Sequence, residues 1–423
     1  MANNRLDIII FGATGFTGKY VVKRAAYLCK EWKLNFGIAG RRKEALEAVL
    51  KEYAPDAENV PIILADVNDE ESLKKMTERT KVLATCCGPY IIYGEAVVKA
   101  CIATRTHYVD VTGESQFIEK MQLLYNKAAQ EAGVYIVSAC GMDSIPTEMG
   151  IIFAQRKFGG EVNSIETYAM FDTNEVILPF INYTSWESLV HVLMHWDELK
   201  EIRAKLYPEK LPEFKPKLES RGIIHKNDIT GDWSTIFLGC DRAVALSTQR
   251  FLYDKYKERP VQVRTYMSLK SFFILLLLLI GATIIMLMTR TAFTRKLLLK
   301  YPTLFSGGII GRSENMSHKL FKNTRFTMIF KAVGWSAKLA EPTDKHTDPP
   351  NKELITRVSG FEPAYGLTST ALILSAIMIL KEADKMPDKG GVLTPGAAFG
   401  KTSLIEELEK NDVKFEVIKS SEN

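Results

Sequence analysis

The sequence has little of what marks several common protein classes. Six cysteines stand in 423 residues: Cys29, Cys86, Cys87, Cys101, Cys140 and Cys240. Their spacings fit neither a zinc site nor a secreted disulfide framework, so reduced thiols in a cytosol-facing protein are expected. The excess of positive charge is small. The net charge is +5, and no basic run interleaves with aromatics; no nucleic-acid partner is expected. Only MANNR precedes the first apolar run, so no signal or transit peptide is expected. The final KSSEN matches no retention or peroxisomal signal. Asn182-Tyr-Thr and Asn315-Met-Ser fit the glycosylation pattern, and without a leader both are read as chance. With 25% charged and 46% hydrophobic residues, what remains is an ordinary globular chain, long enough for two or three domains.

What is present begins at residues 6–11. LDIIIF is a continuous, β-branched apolar run, the pattern of a buried parallel strand. GATGFTG follows, and then KYVVKRAAYLCKEW, an amphipathic helix pattern. A glycine-rich turn between a strand and a helix is the context of a dinucleotide fingerprint. Gly12 permits the tight turn, Gly15 lets backbone approach a pyrophosphate, and Gly18 lets helix and strand pack closely. The expected cradle is therefore Gly12, Ala13, Thr14, Gly15, Phe16, Thr17 and Gly18, with helix N-terminal amides meeting phosphate. The next strand, LNFGIAG, runs into Arg41 and Arg42, where an NAD site would place a carboxylate on the ribose. Guanidinium groups there accept a 2′-phosphate, so NADP is expected and NAD is less favoured.

The alternation continues through VPIILADV, KVLATCCGPY, THYVDVTGE and GVYIVSACG. Asp66 closes the third strand where an adenine would lie, and Gly88 and Pro89 form a turn facing the nicotinamide side. Strands alternating with helices predict an α/β fold, a Rossmann-type doubly wound parallel sheet, over residues 1–150. From 151 to 355 the alternation breaks. VNSIETYAMF and WSTIFLGCDRAVALSTQRFLYDK read as antiparallel strands and SWESLVHVLMHWDELKEIRAKL as a helix, giving a second α+β domain that holds substrate. His191 and His195 lie one helical turn apart, but no Glu completes an H-E-x-x-H motif, so no metal is expected. In residues 356–423, VSGFEPAYGLTSTALILSAIMILKEA reads as a return and a long buried helix. GAAFGKTS is not a P-loop: three residues, not four, separate Gly396 from Gly400, and no apolar strand is expected directly before it.

FGATGFTGKYVV, AGRR, CCGPY, YVDVTGE and ACGMDSIPTEMG resemble segments of the animal saccharopine dehydrogenase-like oxidoreductases. The tail GGVLTPGAAFGKTSLIEELEKNDVKFEV resembles that family's ending. The resemblance spans nearly the whole chain and extends more distantly to saccharopine reductases and to bacterial trans-acting enoyl reductases of complex-lipid synthesis. It carries the fingerprint glycines over position by position and implies that the tail packs back on the nucleotide domain. It also points toward lipid droplets and the ER. The polar set that would hold the dicarboxylate-bearing substrate of a saccharopine reductase cannot be mapped onto this sequence.

Residues 272–288, FFILLLLLIGATIIMLM, are lipid-grade in hydrophobicity and at the short edge for spanning a bilayer. Both flanks are basic, with Arg264 and Lys270 before and Arg290, Arg295, Lys296 and Lys300 after. With the tail returning to the first domain, both ends belong on one side. A re-entrant segment bent at Gly281, or a helix lying at the interface, is expected ahead of a buried core helix. The expectation is an NADP-dependent oxidoreductase with a lipid or other apolar substrate, on the cytosolic face of a lipid droplet or the ER membrane, with a mitochondrion-associated protein as the alternative. Tyr90 and Asp143 are the candidate proton donors, and Cys140 a small buried residue. A non-catalytic droplet scaffold and saccharopine dehydrogenase proper are the rival functions. A homo-oligomer is left open.

Overall fold

The computed structural model describes residues 5–173, 178–179, 181–312, 324–341 and 343–422, so Asn315 lies outside the described residues. The first domain alternates as its hydrophobic pattern requires. It runs β1 (Leu6–Phe11), α1 (Phe16–Glu31), β2 (Phe36–Gly40), α2 (Lys43–Tyr53), β3 (Ile62–Leu64), α3 (Glu70–Thr77), β4 (Thr80–Thr85), α4 (Tyr90–Ala103), β5 (His107–Asp110), α5 (Ser115–Ala132) and β6 (Tyr135–Val137). The strands pair in parallel in the order β3-β2-β1-β4-β5-β6. Ile8, Ile9 and Ile10 of β1 are fully buried, as a strand covered on both faces demands. The order reverses between β1 and β4, and ligands of such sheets bind outside the carboxyl ends of the strands at that point.

Helix α6 (Ile145–Phe158) then carries the chain into a second sheet. Residues 145–154 of α6 are buried on every side, and a Cβ on Gly150 would overlap the ring of Phe330. There follow β7 (Glu161–Thr173), β8 (Ile181–Asn182), α7 (Tyr183–Met194), α8 (Glu198–Leu206), β9 (Ile224–Lys226), β10 (Trp233–Ile236), α9 (Asp241–Tyr256), β11 (Gln262–Leu269), α10 (Phe272–Met288), α11 (Ala292–Lys300), α12 (Pro302–Phe305), β12 (Ile310–Gly311), β13 (Thr324–Trp335) and β14 (Lys352–Phe361). The last section holds α13 (Thr368–Lys381), β15 (Gly391–Leu393), α14 (Pro395–Phe399), α15 (Leu404–Lys410) and β16 (Lys414–Glu422). The second sheet has the order β16-β14-β13-β7-β11-β10-β9 and is mixed, with β7 and β11 parallel and its other pairs antiparallel. One apolar core continues from Ile8 and Val21 through α13 to Phe330 and Val358.

Several expectations need correction. The stretch Asp241–Tyr256 is a helix, not a strand. Its buried positions Asp241, Val244, Ala245, Thr248 and Gln249 recur with helical spacing, and Gly239 separates it from β10. The single helix expected around His191 is two, α7 and α8, parted at His195–Asp197, where His195 Nδ1 pairs with Glu198 Oε1 at 2.7 Å. An apolar strand, β15, does precede GAAFGKTS, and it pairs in parallel with β6 as the outer strand of the first sheet. The final strand β16 joins the second sheet beside β14, so the tail divides between both domains. Residue 150 falls within α6 and residues 355–356 within β14, so neither expected boundary coincides with a break in structure. Asn182 is 6% exposed and N-caps α7 by accepting from the Thr184 amide.

Among the described residues, the one stretch long and apolar enough to cross a membrane is Pro363–Lys381, and 83% of it is buried. Helix α10 is the reverse case. It runs unbroken through Gly281, and along its length only Leu275 is buried. The buried-core alternative therefore does not hold. Phe273, Leu277, Ile280, Ile284 and Leu287 form one outward stripe, 75%, 68%, 49%, 50% and 66% exposed. The inner side meets α7, α11, β10 and β11, with Phe272 against Trp233 at one end and Ile285 and Met288 packed around Trp186 and Leu298 at the other.

Candidate functional site

A cleft of about 650 Å³ opens at the carboxyl ends of β1, β2, β4 and β5 and is closed on its far side by α7 and the loop after β10. Of the residues expected from sequence, it gathers Gly12, Thr14, Gly15, Phe16, Thr17, Arg41, Gly88, Tyr90 and Asp143 on one surface. Ala13, Gly18, Arg42, Asp66 and Pro89 do not line it.

The glycine loop has the shape a pyrophosphate cradle needs. Gly12 has φ +82°, and a Cβ there would lie 2.7 Å from Cys87 Sγ. A Cβ on Gly18 would overlap the Gly12 carbonyl, so Gly18 serves packing from beneath the loop. Ala13 is fully buried under the same loop. Helix α1 begins with no side-chain cap and no acid in its first turn, leaving its amides open to an anion. Helix α4, whose first residue Tyr90 also lines the cleft, is closed by a side chain. Glu114 accepts from the amides of Tyr90 at 3.0 Å and Ile91 at 2.6 Å.

Arg41 follows β2 directly and is exposed to the cleft, and among the described residues no carboxylate pairs with it. Arg42 is the N-cap position of α2 and points away from the cleft lining. Asp66 is a turn former. Its Oδ1 accepts from the Asn68 amide at 3.0 Å, and its neighbours Val67 and Asn68 take the lining positions. Pro89 is buried as the N-cap of α4, leaving Gly88 to face the cleft.

Tyr90 is ill-suited to donate a proton. Its hydroxyl donates to the Thr85 carbonyl at 3.0 Å, the residue is 5% exposed, and burial pushes the phenol well above its ordinary value. Asp143 is better placed. It is exposed to the cleft, yet surrounding protein desolvates the carboxyl and raises its pKa. The thiols are not activated. Burial raises Cys86 and Cys140 and takes Cys87 to about 12. Cys140 is fully buried.

The structure adds residues that sequence reasoning missed. Glu114 stood in the quoted YVDVTGE, directly ahead of a helix, which is the available signal. Two residues on, Gln116 Nε2 donates to the Val192 carbonyl at 2.8 Å, tying α7 to the first domain. Thr184, Ser185 and Ser188 give α7 a hydroxyl face toward the cleft, and Leu189, Val192 and Leu238 give the cleft an apolar side. Arg41 is the one cation among the described lining residues. No local pattern could place α7 here, because its position depends on tertiary packing.

Residues 8–137 match the saccharopine dehydrogenase NADP binding domain. The chain is 34% identical to a human saccharopine dehydrogenase-like oxidoreductase over 98% of each chain. It is 31% identical to a Caenorhabditis elegans protein named lipid droplet localized protein, again over 98% of each. The fold is that of saccharopine dehydrogenase (L-Glu forming) from Saccharomyces cerevisiae, with a TM-score of 0.56 and 14% identity, covering 98% of this chain and 100% of that one. Full-length identity to the animal proteins, an NADP-binding domain and a shared two-sheet fold give one conclusion: the chain belongs to the saccharopine dehydrogenase-like oxidoreductase family.

Proposed function

We propose that the protein is an oxidoreductase that prefers NADP to NAD and acts on an apolar, lipid-type substrate at the cytosolic surface of a lipid droplet or the ER. The observation that carries the reading is the double role of α7. One side of the helix lines the cleft through Ser185, Ser188 and Leu189. Trp186 and Val190 on the other side pack into the cluster that seats α10 and α11, and Trp186 Nε1 donates to the Leu298 carbonyl at 3.0 Å. The helix that bounds the reaction space is thus the floor of the exposed apolar surface.

The residues present fit a dinucleotide. Gly12 makes the tight turn at φ +82°, α1 begins without a side-chain cap, and Arg41 offers an unpaired guanidinium to a 2′-phosphate. The bound nicotinamide supplies or accepts a hydride. Asp143 holds a proton at the cleft wall, while Leu189, Val192 and Leu238 exclude water from the apolar part of a substrate. A substrate with several carboxylates would meet Arg41 as its one lining cation, which disfavours saccharopine.

The test is titration of purified protein with NADPH and NADH, read by nicotinamide fluorescence, and repeated with Arg41→Asp. NADPH should bind more tightly, and the substitution should weaken it by roughly 10- to 100-fold, the worth of one charge-assisted contact of about 1.5–3 kcal/mol. Enoyl and carbonyl lipids in vesicles are then offered as acceptors. No binding of either nucleotide would leave a non-catalytic scaffold, and robust NADP reduction by saccharopine would overturn the substrate class.

A further inference from the structure

Behind the cleft wall lies a group of carboxylates that ordinary structural needs do not explain. Asp143 faces the cleft from the turn before α6, and Glu148 stands in the first turn of that helix. Asp241, the first residue of α9, is 1% exposed. One Asp241 oxygen accepts from the Thr147 hydroxyl, and Oδ2 is buried with no hydrogen-bond partner. Oδ2 also lies directly beneath the cleft surface. A Cβ on Gly239, which lines the cleft, would sit 3.0 Å from it. The loops carrying the two aspartates are joined where Cys240 Sγ contacts the Asp143 carbonyl at 3.5 Å. The titratable groups facing Asp241 are Asp143, Glu148 and Cys240. Among the described residues, no lysine, arginine or histidine pairs with any of the three carboxylates.

A buried carboxylate oxygen with no donor is costly when ionised and cheap when it carries a proton. Two neighbouring carboxylates, one of them buried with an oxygen that no donor reaches, resist ionising together near neutral pH. We propose that Asp241 is a positioning residue that shares one proton with Asp143, so that Asp143 presents a carboxylic acid to the cleft at neutral pH. This rests on the reading of the cleft as the reaction site. When the shared proton sits on Asp143, that O–H bond breaks as the proton passes to the reacting substrate atom, both carboxyls are left ionised, and a proton taken from cleft water restores the pair. Burial, and after it the charge of Asp143, takes Asp241 to about 7, in agreement with that role. Glu148 is a separate case. Burial raises it to about 7, but it is held by the Thr248 hydroxyl and by the Gly396 amide at 2.7 Å and stays at the back of the group.

The experiment is infrared pH titration of the full-length protein with 13C-carboxyl aspartate, which separates aspartate bands from Glu148. Wild type, Asp143→Asn and Asp241→Asn are compared, without nucleotide and with NADPH. We expect a protonated-aspartate band that titrates near neutrality in wild type. In Asp241→Asn, the Asp143 band should titrate lower by a pH unit or more, a tenfold or larger loss of proton affinity. If Asp241→Asn does not fold, Asp143→Asn supplies the reciprocal shift on Asp241. An unchanged titration of the remaining aspartate in either variant overturns the pairing. NADPH binding on the same samples tests the functional reading separately. Its loss in wild type would remove the reaction site while leaving the proton pair measured.

Discussion

Replacing Leu277 and Leu287 together by Asp asks whether the outer stripe of α10 faces lipid. Both side chains are about two-thirds exposed, at 68% and 66%, and they lie on the stripe farthest from α7 and β10. Full burial of a leucine is worth about 1.5–3 kcal/mol, so moving their exposed parts into an apolar layer is worth about 1–2 kcal/mol each. The pair should account for about 2–4 kcal/mol of membrane affinity, a factor of roughly 30 to 1,000. Desolvation of the new carboxylates adds to the loss. In water the same change removes almost no intramolecular contact. The cost to folding is then mainly helix propensity, below about 1.5 kcal/mol for the pair.

The assay is flotation with vesicles of phosphatidylcholine and phosphatidylserine, alongside thermal melts. Wild type should float and the double variant should stay in the soluble fraction with a near-normal melt. Leu275→Asp is the contrasting control. Leu275 is fully buried beneath the same helix, so its replacement should unfold the local packing and lower the melt sharply. Flotation of the double variant at wild-type levels would refute the reasoning, because attachment would then come from elsewhere. A collapse of its melt would equally refute it, since the stripe would then be covered by protein and not by lipid.

Two further outcomes follow from the site. Tyr90→Phe should keep NADPH affinity within a few-fold by fluorescence titration, because the hydroxyl it removes is committed to the Thr85 carbonyl; chemical denaturation should show a loss of about 1–3 kcal/mol from the orphaned backbone group. Stability should fall as pH rises from about 4 to 7. Asp241 and Glu148 titrate at about 7 when folded, against about 4 when unfolded, so between those values the folded state holds protons that the unfolded state has lost, and above about 7 that advantage is gone. His107, lowered to about 4 by burial, acts oppositely but only below about 6.5. Urea denaturation across the window should give a flatter profile for Asp241→Asn, and an identical slope would contradict the assignment.

How much of this was legible in the sequence depended on how local the cause was. The strand–glycine–helix beginning could be read directly, because LDIIIF, Gly12 and Gly18 obey constraints acting within a few residues. The same holds for the place of Arg41, which stands one residue past a strand end and lines the cleft. Tyr90 stands after β4 as expected, but its hydroxyl turns back to the Thr85 carbonyl, and no residue pattern records that side-chain rotation. The stretch after Gly239 read as a strand on its alternation of polar and apolar residues, while its helical spacing is set by burial against α6 and α14.

Asp241 had no signal at all. It is one acid in a charged stretch, Cys240-Asp241-Arg242, of the kind that usually faces solvent. Only the tertiary fold turns it inward, beside Gly239 of the cleft lining. A Cβ at Gly239 would sit 3.0 Å from Asp241 Oδ2 and would crowd the ring of Phe237. The proton pair and the shape of the cleft are therefore one feature of the fold, produced by an acid at the start of α9 and a glycine two residues before it.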